Sequence, residues 1–311
     1  MDIIRELSDW PAGLRKGAVA IGNFDGVHRG HAKIIERLLA VAEQVNGPAV
    51  VFTFDPHPVR LLRPEHAPPP LTWIERKAEL LGELGADHVI AYPTDEALLQ
   101  LSPEEFFDRI VRTRLETRAM VEGPNFYFGR GRTGNIERLQ ALCNAADILL
   151  EVVEPIQIGG EYVSSSRVRK LIEAGRLEEA AHLLTRPYRL RGMVTHGSSR
   201  GHRIGFPTAN VDAIDTLLPA DGVYAGRALL ADGSAIAAAI NIGPSPTFGE
   251  PAQKVEVHLI DWHGALYGQP LEVDFHARLR DIQRFDGVEA LKAQLNKDID
   301  QARKIARSLA T

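Results

Sequence analysis

The chain of 311 residues has one cysteine, Cys143, so it can form no internal disulfide. That usage fits a reducing compartment. Leu139, Leu142 and Cys143 fall on one apolar helical run, which makes the thiol a buried filler rather than a nucleophile. No apolar run is long enough to cross a bilayer, and Met1-Asp-Ile-Ile-Arg5 lacks the pattern of a secretory signal. A soluble, cytoplasmic protein with no membrane partner is expected. Positive charge is not in excess: 36 Lys and Arg stand against 41 Asp and Glu, a net charge of -5. Without a basic face, no nucleic-acid partner is expected. No G-x-x-x-x-G-K-[ST] phosphate loop occurs, and there is neither an internal repeat nor a low-complexity tract.

What is present is organised around Ala18-Val-Ala-Ile-Gly-Asn-Phe-Asp-Gly-Val-His-Arg-Gly-His31. Ala18 to Ile21 reads as a buried strand. After it, Ile34, Leu38, Ala42 and Val45 recur at helical spacing. Between the two lie Gly22, Gly26 and Gly30, with His28 and His31 one turn apart. A strand, a glycine-bearing loop and a helix N-terminus form a place for anions, because backbone N–H groups and the helix dipole both favour negative charge there. An isolated histidine pair would serve equally as metal ligands or inert helix-start residues. Among three glycines, Asn23 and Asp25, the pair points to a nucleotide site.

Further buried strands are expected at Ala49–Phe54, His88–Tyr92, Ala119–Glu122 and Ile148–Val153. The second of the five ends in Asp55-Pro-His-Pro58, where two prolines stop pairing. Helices alternate with the strands. Thr72 and Glu75 suggest a capping box for a helix carrying Ile74, Ala78, Leu81 and Leu84, and Ser102-Pro-Glu-Glu105 is a second helix start. Such alternation predicts a doubly wound parallel sheet of Rossmann type, whose ligands bind beyond the strands' carboxyl ends. His31, Asp55 and Asn125 all follow strands and should gather there.

Near residue 186 the pattern changes. Tyr188–Thr195, Gly222–Leu230, Ala235–Ile242, Lys254–Asp261 and Leu271–Leu279 read as strands separated by turns, as in a small antiparallel β-barrel. A terminal helix is expected over about Gly287–Ser308, with Val288, Leu291, Leu295 and Ile299 on one face. The spacing places a boundary around Leu184–Pro187, giving domains 1–185 and 186–311.

Several constellations carry chemistry. Asn125 with Phe126, Tyr127 and Phe128 offers an amide for a heterocycle's edge and rings for its face, although aromatics there serve equally as core. Gly129-Arg-Gly-Arg-Thr-Gly134 matches G-x-G-x-x-G but lies late and beyond a loop, so it is not the dinucleotide fingerprint. It is either a plain surface loop or a basic phosphate-adjacent one. Ser164 and Ser166 with Arg169 make a second anion site or an ordinary helix cap. Gly197, Gly201 and Gly205 frame a polar, basic loop suited to phosphates. Thr208 and Asn210 supply hard oxygens for Mg²⁺ beside nucleotide phosphates. Glu256, on a strand whose other face is apolar, is a proton acceptor for a hydroxyl or a solvated strand residue.

On these residues the chain resembles the bacterial bifunctional riboflavin kinase/FAD synthetase family over nearly its whole length. The matching pieces are Gly22–His31, Phe54–Pro58, Asn125–Gly129, Ser164–Arg169, Gly205–Asn210, Gly222–Gly226, Asn241–Gly249 and Val255–His258. The H-x-G-H signature alone says nucleotidylyltransferase; followed by Pro207-Thr-Ala-Asn210 it is far more specific. The resemblance implies a nucleotidylyltransferase-like first domain and a riboflavin kinase-like barrel. The barrel would make FMN from riboflavin and ATP, and the first domain FAD from FMN and ATP, with Mg²⁺. By the same resemblance, His28 and His31 are catalytic on ATP phosphates, with Gly22, Asn23, Phe24, Asp25 and Gly30 around the nucleotide. Ser164, Ser166 and Arg169 join them. Asp55, His57, Asn125 and Arg280 contact flavin. Gly205, Thr208 and Asn210 hold Mg²⁺-ATP, and Glu256 is the base toward the ribityl hydroxyl. The chain departs from the family pattern at Ser198, His202 and Ile282, in the kinase loops. Alternatives are an adenylyltransferase with a weakened kinase module and a flavin-binding sensor without turnover.

Overall fold

Short, mostly apolar runs pair side by side here, and the central ones have both of their faces covered, while the last, Leu149–Val152, is partly exposed. In a computed structural model that describes residues 3–5, 12–197, 201, 204–245 and 250–308, these runs form a six-stranded sheet. The strands are β1 (Ile3–Ile4), β2 (Ala18–Ile21), β3 (Ala49–Asp55), β4 (His88–Pro93), β5 (Ala119–Glu122) and β6 (Leu149–Val152), in the order β1-β4-β3-β2-β5-β6. Every pairing is parallel. The expected doubly wound sheet is therefore present, with β1 as an added edge strand.

Alternate residues of each strand enter two separate cores. Ala18, Ala20, Val51, Val89 and Val121 pack with Ile35, Leu38 and Val41 of α1 (Arg29–Gln44). Val19, Ile21, Val50, Phe52 and Met120 pack on the opposite face with Phe106, Phe107, Leu139 and Cys143. A one-turn helix, α2 (Pro58–Leu62), follows β3, and α3 (Ile74–Glu83) precedes β4. Helix α3 begins with Trp73 at its N-cap, whose side chain makes no cap bond, and the Glu75 carboxylate in its first turn pairs with Arg5 at 2.8 Å. After α4 (Glu96–Gln100), α5 (Pro103–Phe106) does open with a complete capping box between Ser102 and Glu105. Helix α6 (Ile136–Ala145) precedes β6.

The sheet reverses its winding between β2 and β5. From β2 the chain proceeds to β3 and β4 on one side, then returns to place β5 on the other. This is the switch point at which open α/β sheets leave a crevice.

The chain folds as two compact units: residues through Pro68 with Trp73–Ser164, and Pro69–Thr72 with Ser165 onward. The second contains α7 (Ser165–Glu173), α8 (Leu177–Leu184) and a closed barrel of β9 (Tyr188–Thr195), β10 (Ala209–Asp212), β11 (Gly222–Leu229), β12 (Ala235–Ser245), β13 (Glu250–Leu259) and β14 (Pro270–Arg280). The barrel order is β10-β13-β12-β11-β14-β9, with all neighbours antiparallel. Tyr188, Tyr224, Ile240, Val257 and Phe275 are fully buried, and the Tyr224 and Phe275 rings meet edge to face at 5.4 Å. The C-terminal helix, Val288–Ser308, packs Ala302 against Ala225 and Ile260, with Ala237 and Ala239 alongside.

Candidate functional site

In the first unit the β2–α1 connection is built by backbone geometry. The Gly22 N–H donates to the Phe52 carbonyl at 2.9 Å, and the Val27 N–H donates to the Phe24 carbonyl at 3.1 Å. Phe24, Gly26 and Val27 have φ of 44°, 83° and 41°. Positive φ at a bulky or β-branched residue costs roughly 1–3 kcal/mol, so the surroundings must enforce this turn. His28 then caps α1: its Nδ1 accepts the His31 backbone N–H at 3.3 Å. A neutral His28 therefore carries its ring proton on Nε2, which makes that nitrogen a donor. The His28 and His31 rings stack with centroids 3.7 Å apart, and His31 meets the Phe24 edge at 5.2 Å. His28 and Asp25 are buried. The Gly30 Cα lies so close to the His28 ring that a Cβ would stand 3.1 Å from it. The structure thus brings Gly22, Asn23, Phe24, Asp25, His28, Gly30 and His31 into one strand-to-helix turn. The Asn23 Oδ1 is buried with no hydrogen-bond partner in the described residues.

The loops after β3 and β5 leave the same sheet edge, because these strands flank β2 in parallel. Asp55 ends β3 ahead of a cis Asp55–Pro56 peptide, and His57 caps α2 by accepting the Val59 N–H at 3.1 Å. Asn125 is exposed. The aromatic run divides: Phe128 is in the core, Phe126 stacks on it at 5.4 Å, and Tyr127 stays exposed beneath the Arg132 guanidinium. At the G-x-G-x-x-G match, Gly134 faces the Phe128 ring across a small bridge, and a Cβ there would stand 2.7 Å from the ring. Close packing accounts for that glycine.

Two buried charges at this edge escaped the sequence reading. The Glu122 carboxylate accepts the Ile21 N–H at 2.8 Å, where the β2–β5 ladder has already ended at Val19 and Met120. Burial pushes its pKa well above the usual carboxylate range, which the Ile21 hydrogen bond only partly opposes. Lys77 of α3 is buried, and its Nζ donates to Thr53 Oγ1 at 3.5 Å. Burial pulls its pKa down, while Asp25 and Asp55 favour the charged ammonium.

In the second unit the decisive feature is a row across the barrel. Asn210 of β10 pairs with Glu256 of β13, and Glu256 pairs with Asn241 of β12. Directly opposed residues share a face, so three polar side chains stand side by side. The Asn241 Nδ2 donates to Glu256 Oε2 at 3.3 Å. One step along β13, the His258 ring Nδ1 lies 2.7 Å from the Pro207 carbonyl, which ties the Pro207–Asn210 segment to the same strand. The Gly197 Cα abuts the Asn210 amide: a Cβ would sit 2.1 Å from Nδ2, so only glycine fits. Gly205 has φ of 91°, and Thr208 is half-buried. Asn241 took no part in the expected site, although its place among the apolar residues of β12 was a legible signal.

Other expected residues are placed differently. Ser164 closes the first unit, and Ser166 lies in the first turn of α7 in the second, exposed. The Arg169 Nε donates to the Pro69 carbonyl at 3.1 Å. The Arg280 guanidinium grips the buried Asp298 carboxylate of the C-terminal helix, with contacts at 2.8 and 3.1 Å. Ile282 is half-buried after β14. Ser198, His202 and residues 246–249 of the Asn241–Gly249 piece lie outside the described residues. Among the described residues no group of three or more His, Cys, Asp or Glu could hold a metal ion, and no helix is long and apolar enough to cross a membrane.

Comparison with known proteins agrees with both halves. Residues 11–167 match the FAD synthetase family model and residues 184–306 the riboflavin kinase model. The bifunctional riboflavin kinase/FMN adenylyltransferase of Pseudomonas fluorescens is 37% identical over 307 residues, 98% of each chain. That of Bacillus subtilis is 34% identical over 92% of each. A solved structure described as a macrolide-efflux protein from Streptococcus pneumoniae superposes with a TM-score of 0.86 at 29% identity, over 97% of this chain and 98% of its own.

Proposed function

The chain belongs to the family of bifunctional riboflavin kinase/FMN adenylyltransferases, and from that premise we propose which of its residues perform the two reactions. It phosphorylates riboflavin with ATP to FMN, and adenylylates FMN with a second ATP to FAD.

We assign FAD formation to the first unit. An FMN phosphate oxygen attacks the α-phosphorus of ATP; the Pα–O bond to the β-phosphate breaks and pyrophosphate leaves. The nucleophile is already an anion, so the chain's task is positioning and neutralisation of charge. The α1 N-terminal N–H groups, His28 and His31 supply donors to the phosphates. Gly22, Asn23, Phe24, Asp25 and Gly30 shape the nucleotide's seat, with Ser164 as a further phosphate contact. Asp55, His57 and Asn125 face the flavin from the neighbouring loops. The stacked histidine pair at a helix N-terminus is the observation that supports this assignment.

FMN formation falls to the barrel. The ribityl hydroxyl attacks the γ-phosphorus, the bond to the β-phosphate breaks, and ADP leaves. A neutral alcohol must lose its proton, and the Glu256 carboxylate, oriented by Asn241, accepts it. The Asn210–Glu256–Asn241 row supports this role. Thr208 and Asn210 offer neutral oxygen donors beside that carboxylate, a set that suits Mg²⁺ carrying nucleotide phosphates. When bound, the ion neutralises phosphate charge. Gly205 lets the preceding loop approach the nucleotide. Arg280 contributes to the flavin side while anchored on Asp298. The solitary, buried Cys143 is in keeping with a cytoplasmic setting.

A two-product assay with riboflavin, ATP and Mg²⁺ tests the division. His28→Ala with His31→Ala is expected to abolish FAD formation and spare FMN formation, and Glu256→Ala the reverse. Equal loss of both products in both variants overturns it. Chelation of the divalent cation is expected to stop FMN formation.

A further inference from the structure

Lys77 is 8% exposed and sits among Ala78, Leu80 and Leu81 on the buried side of α3. A side chain needed only for filling would be apolar, since methionine occupies the same length without a charge. The ammonium is instead connected. Its Nζ donates to Thr53 Oγ1 at 3.5 Å, and that hydroxyl, itself fully buried on β3, donates to the Asn23 carbonyl at 3.2 Å. Asp25 and Asp55 are the carboxylates whose charge it answers. Asn23 and Asp25 lie in the turn with positive φ at Phe24, Gly26 and Val27 that delivers His28 to the start of α1. Asp55 begins the loop after β3. One lysine thus joins α3, β3 and the two loops that flank the crevice.

We propose that Lys77 is a positioning residue for FAD formation: through Thr53 and the Asp25 and Asp55 carboxylates it fixes the 22–28 turn and the start of the 55–57 loop, and so the placement of His28 and His31 on the phosphates. It touches no substrate. The turn is held against its own backbone preference, and Lys77 is the charge that ties it to the sheet. Misplacement of the phosphate donors by a fraction of an ångström then slows the chemical step while leaving ground-state affinity nearly intact. The inference rests on the assignment of FAD formation to the first unit.

The full chain carries its own control, because FMN formation reports on the barrel in the same sample. Lys77→Met is expected to lower kcat for FAD formation about a hundredfold, with KM for ATP and FMN changed by less than about threefold and FMN formation unchanged. Thr53→Val is expected to lower it about tenfold, and the double variant to be no slower than Lys77→Met alone, since both cut one chain of contacts. General destabilisation would make the two losses multiply. FAD formation by Lys77→Met at the wild-type rate, or losses that multiply in the double variant, overturns the proposal. Should Lys77→Met not fold, Thr53→Ser against Thr53→Val decides: the serine is expected to keep the wild-type rate, and equal rates overturn the proposal. His28→Ala runs alongside. If it leaves FAD formation intact, the site assignment fails; if it abolishes FAD while Lys77→Met does not, only the role of Lys77 fails.

Discussion

Three charged residues on apolar stripes carry much of this molecule's logic. Lys77 falls three residues after Ile74 and four before Leu81, and Asp298 falls three after Leu295 and four before Ala302. Each occupies a position where helical spacing calls for an apolar side chain. Glu122 does the same at the end of an otherwise apolar strand. The stripe was legible, but the charge within it reads as a solvated residue until a partner is known. Glu122 has a consequence for pH. Its pKa in the folded chain lies above the unfolded value of about 4.3, so its stabilising contribution is complete below that value and is lost as pH rises through the folded one. Glu122→Gln, a neutral mimic of the protonated acid, is expected to remove that loss; urea midpoints across a pH series check it, and an unchanged slope counts against a buried acid. Burial, with Glu122 as a secondary cause, pushes the Cys143 thiol up to about 12, so native protein at neutral pH is expected to resist iodoacetamide until unfolded.

Among the elements, the parallel strands were legible because runs such as Ala49–Phe52 are apolar at every position and helices follow at regular intervals. Strand β10 was not. It is four residues long, only Val211 is buried, and Thr208 and Asn210 read as metal-binding residues rather than as the edge and interior of a strand. Strand β1, two residues long, offers no period to detect. In the first turn of helix α3 Glu75 has an arginine partner, Arg5, that no local spacing could reveal. The box at α5 formed as read, and Ser102→Ala is expected to cost about 1 kcal/mol, measurable by denaturant titration. The C-terminal helix carries one buried carboxylate, for Asp298 is 1% exposed and holds Arg280 with further support from Gln294. Asp298→Ala leaves a half-buried guanidinium without its carboxylate and is expected to cost about 1–3 kcal/mol, read as a fall in the melting temperature together with lost FMN formation.

At the scale of the whole chain, each unit has its own core. Leu38 is fully buried against the sheet, and Ile240 within the barrel. Leu38→Ala, at about 2–5 kcal/mol, is expected to lower the temperature at which FAD formation is half lost while that for FMN formation holds; Ile240→Ala is expected to do the converse. Parallel shifts of both temperatures in either variant would show one cooperative unit.

Strand β10 bonds to β9 on one side and β13 on the other, and so supplies the last seam of the barrel. Asn210 lies on that seam. Shutting the cylinder and setting the Asn210 amide beside Glu256 are therefore one and the same arrangement, so on the proposed assignment an open cylinder has no kinase site.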